Sequence, residues 1–270
     1  MLKRIKETAE YIQKRATFSP EMGIILGTGL GGLVKEIQVE HTLEYKDIPH
    51  FPVSTVESHK GRLIFGSLGG KRVVAMQGRF HFYEGYTMPE VVFPVRVMKL
   101  LGIKKLFVSN ACGSLVPKIK AGSLMILKDH INMLPNNPLT GHNEEELGPR
   151  FPDMSEPYDN EMILKAESIA KKNEIKVFKG TYVAVPGPNL ETPAEYNFLR
   201  IIGGHVVGMS TVPEVLAARH MNIPVFAISV VTDEGWHHKL TPLTLDDVIA
   251  VATRTEPKMT LLLRELISSI

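Results

Sequence analysis

In the stretch "QGRFHFYEGY", Arg79, His81 and Tyr83 alternate with Phe80 and Phe82. In an extended segment alternate side chains share a face, so a polar triad would be backed by aromatic packing. Arginine offers a two-pronged fork to phosphate or carboxylate, and histidine donates or exchanges a proton near neutral pH. The triad therefore suits an oxyanion. The alternative is a plain strand face with Arg79 paired to a surface acid.

A second stretch, "IILGTGLGGL", spells G-x-G-x-x-G with Gly27, Gly29 and Gly32 after an apolar run. A dinucleotide site would also need an acidic strand end about 20 residues further on. That zone is "DIPHFPVSTVE", interrupted by Pro49 and Pro52, so NAD is disfavoured. A glycine turn opening a helix still presents N–H groups and a positive dipole end, which suit phosphate. Thr28 would add a hydroxyl. A strand-to-helix turn with no ligand remains the other reading.

Two more stretches carry capping signals. In "MSTVPE", Thr211 and Glu214 have capping-box spacing and Pro213 suits the first turn, which leaves Ser210 beside a helix N-terminus. "TPAE" repeats the device with Thr192, Pro193 and Glu195, and leaves Glu191 without a structural task. Glu191 is either a solvated carboxylate or a ligand acceptor. Asp233 follows a strongly apolar run, where idle exposure is disfavoured. Cys112, the one cysteine, reads as ordinary packing. His237 and His238 lack metal-ligand spacing, and no G-x-S-x-G elbow occurs.

These residues need a scaffold. Helical patterns over about 3–16, 89–101, 158–172 and 244–268, and from Leu30, Pro193 and Val212, alternate with apolar runs. "RLIFGSLGGKRVVAMQG" reads as a hairpin turning at Gly69-Gly70, and 130–157 as a long proline-rich loop. The alternation predicts an α/β fold, one domain over 1–270 with a mixed central sheet flanked by helices. Apolar runs end in Gly27-Thr28-Gly29, in Ser109-Asn110-Ala111-Cys112-Gly113, in "PGPNLET", in "GMST" and in Thr232-Asp233-Glu234. Ligands of α/β sheets bind at the carboxyl ends of strands, so these loops should converge.

Bulk properties narrow the class. The chain has 270 residues, 44% of them hydrophobic, enough for a sizeable core. A net charge of +2 without a basic run excludes a nucleic-acid footprint. No stretch approaches a membrane span, and "MLKRIKETAEYIQKRA" reads as an amphipathic helix, not a secretory leader. A cytoplasmic protein, with no nucleic-acid or membrane partner, is expected.

Taken together, "GTGLGGL", "FPVSTVESHKGR", "MQGRFHFYEGY", "NACGS", "RFPDMS", "GPNLETPAE" and "VGMSTVPE" resemble the trimeric purine nucleoside phosphorylase family. The resemblance spans nearly the whole chain. It implies that Thr28, His59, Arg79, His81, the Ala111 N–H and Ser210 hold inorganic phosphate. Tyr83 and Met209 would meet the ribose, and Gly113, Tyr182 and Leu190 the base. Glu191 and Asp233 would bond the purine edge, and with His81 carry the catalysis. Phe151 would reach a neighbouring subunit of a homotrimer. No metal or organic cofactor is implied; phosphate is a co-substrate.

Some positions are similar to those of methylthioadenosine phosphorylases: Thr28 for serine, "NACGSL", and Asp233 where 6-oxopurine enzymes carry asparagine. Leu190 replaces an aromatic residue, and Leu245 stands where a histidine often meets the 5′-hydroxyl. An ionised Glu191 matches N1–H of hypoxanthine or guanine. Asp233 accepts from a 6-amino group when ionised and donates to O6 or N7 only when protonated. The resemblance implies phosphorolysis of inosine and guanosine, with methylthioadenosine or adenosine as the alternative.

Overall fold

The computed structural model describes residues 1–53, 60–236 and 242–270. Its elements are α1 (Leu2–Ala16), β1 (Met22–Leu26), β2 (Gln38–Glu44), β3 (Arg62–Leu68), β4 (Lys71–Gln77), α2 (Met88–Val91) and α3 (Phe93–Leu101). There follow β5 (Lys105–Ser114), β6 (Leu124–Asn132), α4 (Asn160–Lys172), β7 (Val177–Ala184), α5 (Pro193–Ile201), β8 (Val206–Gly208), α6 (Val212–His220), β9 (Val225–Glu234) and α7 (Leu245–Ser268). The mixed α/β architecture is the one the sequence implies.

The sheet runs β2-β3-β4-β1-β5-β8-β7-β6-β9, and β9 also pairs with β5. The last five strands thus close on themselves. Strand β5 makes this possible. Its first half pairs with β1 from Lys105 to Val108; its far end, Gly113 and Ser114, pairs with β8. Beyond Val108 the strand parts from β1 but stays paired to β9, with a one-residue register shift between Cys112 and Gly113. A cleft opens where β1 and β5 part. Apart from Lys105 at its start, both strands are apolar and buried through their paired halves, as strands covered on two faces must be.

Several elements differ from expectation, each for a local reason. The region from Leu30 is a six-residue 3-10 helix, Gly31–Glu36, not an α-helix. Two adjacent glycines at its start favour helix poorly. The 89–101 helix is two pieces meeting at Val92; Pro94 has no N–H for the Glu90 carbonyl. Ser109–Gly113 is not a loop but strand, because Leu106–Ser114 stays paired to β9. The Gly69-Gly70 hairpin forms as read.

Candidate active site

One pocket gathers Thr28 after β1, Arg79, His81 and Tyr83 after β4, and Ala111 and Gly113 on β5. Leu190 and Glu191 come from the loop before α5, Met209 and Ser210 from the turn after β8, and Asp233 from β9. Leu245 and Val248 of α7 close one side. Eleven sequence-expected residues therefore share one cavity lining. His59 lies outside the described residues, as do His237 and His238.

Part of the pocket lining is an arginine held in a buried ion pair. Arg79 is buried, and its fork is taken up by partners within the protein. Nε and Nη2 donate to Glu214 Oε1 and Oε2, both at 3.0 Å, while Nη1 donates to the Ser109 carbonyl (2.9 Å) and Ser210 Oγ (3.1 Å). Glu214 is therefore no capping-box partner. Thr211 is not one either: its hydroxyl accepts from Asn110 Nδ2 at 2.9 Å. Thr211 has φ 70° and ψ −53°, and the Val212 N–H donates to the Ser210 carbonyl at 2.8 Å. This is a γ-turn of the strained positive-φ kind, costing on the order of 1–3 kcal/mol for a β-branched residue. The turn aims Ser210 at Arg79. Sequence reading missed Asn110 as its anchor, because nothing local links residues 101 positions apart.

His81 is buried against Tyr83, ring on ring at 4.6 Å. Its Nδ1 lies 2.9 Å from Glu84 Oε1, which also accepts from the His81 N–H. The carboxylate selects the Nδ1–H tautomer and leaves Nε2 the acceptor. Burial pushes the imidazole below its ordinary range despite Glu84. Desolvation lifts the Tyr83 phenol to about 12, so it stays a donor.

The same lining also holds two carboxylates, Glu191 and Asp233. Burial pushes Glu191 up, and the Asp233 charge adds to this; its own backbone amide and Tyr196 oppose. Burial likewise raises Asp233, while the Thr232 hydroxyl, 2.9 Å from Oδ1, opposes. Gly113 makes room for Asp233: a Cβ there would sit 2.7 Å from Oδ2. The "TPAE" capping box forms as read, with Thr192 and Glu195 exchanging bonds at 2.7 and 3.2 Å. Cys112 is buried at the wall, and burial raises its thiol, as packing demands.

Two expectations, for the glycine turn and for Tyr182, are corrected. The amides of the glycine turn are not simply open to an anion, because the Leu33 N–H donates to Glu256 Oε1 of α7 at 3.1 Å. A Cβ on Gly32 would lie 2.3 Å from that carboxylate. Tyr182 does not line the pocket; it is fully buried behind Gly208, its hydroxyl accepting the Ser210 N–H at 3.3 Å. Phe151 is 88% exposed, beside Leu139 and Met154, away from this chain's own pocket.

Comparison with known proteins agrees with this architecture. The family model of the phosphorylase superfamily matches residues 21–268. Purine nucleoside phosphorylase 1 of Bacillus subtilis is 50% identical over 256 residues, covering 95% of this chain and 94% of its own. The Bos taurus purine nucleoside phosphorylase is 48% identical over 235 residues, 85% of this chain and 81% of its own. The solved Schistosoma mansoni purine nucleoside phosphorylase in complex with inosine is 42% identical, with a TM-score of 0.95 over 100% of this chain and 97% of its own. A structure of the Schistosoma mansoni enzyme with adenosine gives 0.94 at 44% identity. Fold and pocket define a phosphorylase-type pentosyltransferase. Within that superfamily, the chain belongs to the purine nucleoside phosphorylases.

Proposed function

We propose that this enzyme catalyses the reversible phosphorolysis of purine (deoxy)ribonucleosides, inosine and guanosine above others, to free base and ribose 1-phosphate. One observation carries the reading: the lining of a single pocket brings together Arg79, His81, Ser210 and Thr28 with Glu191 and Asp233. The first group suits phosphate and the second a purine edge. Ribose would lie between, against Tyr83 and Met209.

Phosphate attacks C1′ from the face opposite the base, through an oxocarbenium-like transition state. Neutral His81 accepts a phosphate O–H at Nε2. Arg79 supplies positive charge and, through Ser210, a placed hydroxyl. Proximity, rather than covalent chemistry, is their contribution. The Ala111 N–H and His59 complete the set by the family resemblance. As the base leaves it gains negative charge, which donors at its edge offset.

The two carboxylates divide that task. Both are desolvated, which disfavours their charged forms, and the Asp233 charge adds to this at Glu191. An ionised Glu191 accepts N1–H of a 6-oxopurine. A protonated Asp233 donates to O6 or N7 and also tolerates a 6-amino group, which accounts for both halves of the sequence signal.

We further propose a homotrimer in which exposed Phe151 completes a neighbour's pocket. Phosphate and nucleoside are the only small molecules required, with no metal or organic cofactor. No helix among the described residues is long and apolar enough to cross a membrane. A cytoplasmic enzyme of purine salvage fits these properties.

The test is base release from inosine, adenosine and methylthioadenosine with and without inorganic phosphate. Strictly phosphate-dependent cleavage favouring inosine is expected. Cleavage without phosphate, or no cleavage, overturns the reading; a methylthioadenosine preference overturns the role given to Glu191.

A further inference from the structure

Ser210 has one hydroxyl proton, and its neighbours decide where that proton points. We infer that Asn110 and Thr211 are positioning residues. Through a one-way chain of hydrogen bonds, from Asn110 to Thr211 to Ser210, they keep the Ser210 hydroxyl a donor to the pocket, where it meets an unprotonated phosphate oxygen. That role rests on the phosphate reading just given; the direction of the chain does not.

The chain starts at an amide on β5. Asn110 Nδ2 donates to Thr211 Oγ1 at 2.9 Å, and both residues are buried. A hydroxyl has one proton and two lone pairs. Thr211 Oγ1 gives one lone pair to the amide and lies 3.2 Å from Ser210 Oγ. The amide nitrogen cannot accept, and Ser210 Oγ is the one acceptor that the Thr211 hydroxyl meets among the described residues. The Thr211 proton therefore points to Ser210. At Ser210 the same count repeats. Arg79 Nη1 donates to Oγ at 3.1 Å, and a guanidinium never accepts. Arg79 and Thr211 thus fill both lone pairs of Ser210 Oγ. Its proton is left without an acceptor among the described residues, and Ser210 lines the pocket.

The backbone serves the same end. The Ser210 N–H donates to the Tyr182 hydroxyl at 3.3 Å, and the Ser210 carbonyl accepts from the Val212 N–H at 2.8 Å, so the residue is held at both backbone groups. The positive φ of Thr211 is what swings its hydroxyl round to Asn110, a contact that offsets part of the strain. Hydrogen bonds in a chain polarise one another, and the Arg79 cation adds to this, so Ser210 becomes a stronger donor than an isolated serine. A fixed donor suits an oxygen that carries charge and no proton. His81, whose Nδ1 faces Glu84 and whose Nε2 accepts, suits a protonated one. Hydrogenphosphate has both kinds of oxygen, so the two side chains fit it in one orientation.

The variant is Thr211→Val, which keeps the branched shape and removes the hydroxyl. The KM for inorganic phosphate should rise about tenfold, the weight of one hydrogen bond to a charged group, while the KM for inosine stays within about twofold. Thr211→Ser, which keeps the hydroxyl, should recover most of that loss. In a Ser210→Ala background, Thr211→Val should raise the phosphate KM no further, because Thr211 acts through Ser210. An unchanged phosphate KM in Thr211→Val, an equal rise in the Ser210→Ala background, or no recovery in Thr211→Ser overturns the inference. Neutron diffraction of the ligand-free wild type after deuterium exchange reads the chain without any variant. A Thr211 deuteron lying toward Ser210 Oγ supports the inference; one lying toward Asn110, with Ser210 donating to Thr211, overturns it. A wild type without phosphate-dependent cleavage would sink the proposed function, while the neutron map would still decide the direction of the chain.

Discussion

Arg79 and Glu214 show how far a residue's type can be read and where its partner cannot. The sequence marks Arg79 as an anion ligand; the fold gives its fork to Glu214, with side chains 1% and 3% exposed. Breaking such a pair strands a buried charge. Glu214→Ala should therefore cost about 3–5 kcal/mol in chemical denaturation. It should also lower turnover, because Arg79 would no longer be held against Ser210. Wild-type stability in that variant would contradict the pairing. Asp233 permits a second prediction. An asparagine there donates from its amide without needing a proton, so Asp233→Asn should raise the ratio of inosine to adenosine cleavage. Loss of inosine cleavage in this variant would mean that Asp233 does more than donate a hydrogen bond.

At the scale of elements, the glycine loop is tied to the C-terminal helix. Glu256 takes the Leu33 N–H, and Ala252 lies against Gly29, whose φ is +71°. Leu245 and Val248 of the same helix line the pocket, so α7 spans both the loop and the ligand cavity. Removing the carboxylate strands a partly buried amide, and Glu256→Ala should lose about 1–3 kcal/mol. Glu256→Gln, which still offers an acceptor oxygen, should recover most of it. Equal melting temperatures for the wild type and Glu256→Ala would show that this tie does not stabilise the fold. The contact joins residues 223 positions apart, which explains why the motif alone read as an open anion turn.

The whole molecule presents an uncovered apolar feature in the long loop between β6 and α4. Phe151 is 88% exposed there, and it contributes nothing to its own chain's core. Phe151→Ala should leave the stability of the folded chain within about 0.5 kcal/mol, as for an exposed site. It should raise the KM for inosine if the phenyl ring completes a neighbour's pocket. Sedimentation should then give a trimer for the wild type. A monomeric, fully active wild type would remove Phe151 from the site.

The sequence by itself determined the mixed α/β class, most of the residues that line the pocket and the order of the elements except β2, whose largely exposed side chains leave no apolar run to read. Those signals are local: apolar runs and helical periodicity set the elements, and polar residues at strand ends mark the ligand face. The "TPAE" box and the Gly69-Gly70 hairpin were legible for the same reason, since each is closed by neighbours in the chain. Tertiary structure alone decided the partners. It turned Thr211 and Glu214 from a cap into supports for Asn110 and Arg79, and it set Glu256 in the glycine loop. It carried β5 past Val108 into a closed ring of strands and placed Tyr182 behind the wall. Hydrogen-bond and charge pairing at long range depends on which surfaces the sheet brings together. Local pattern carries no record of that.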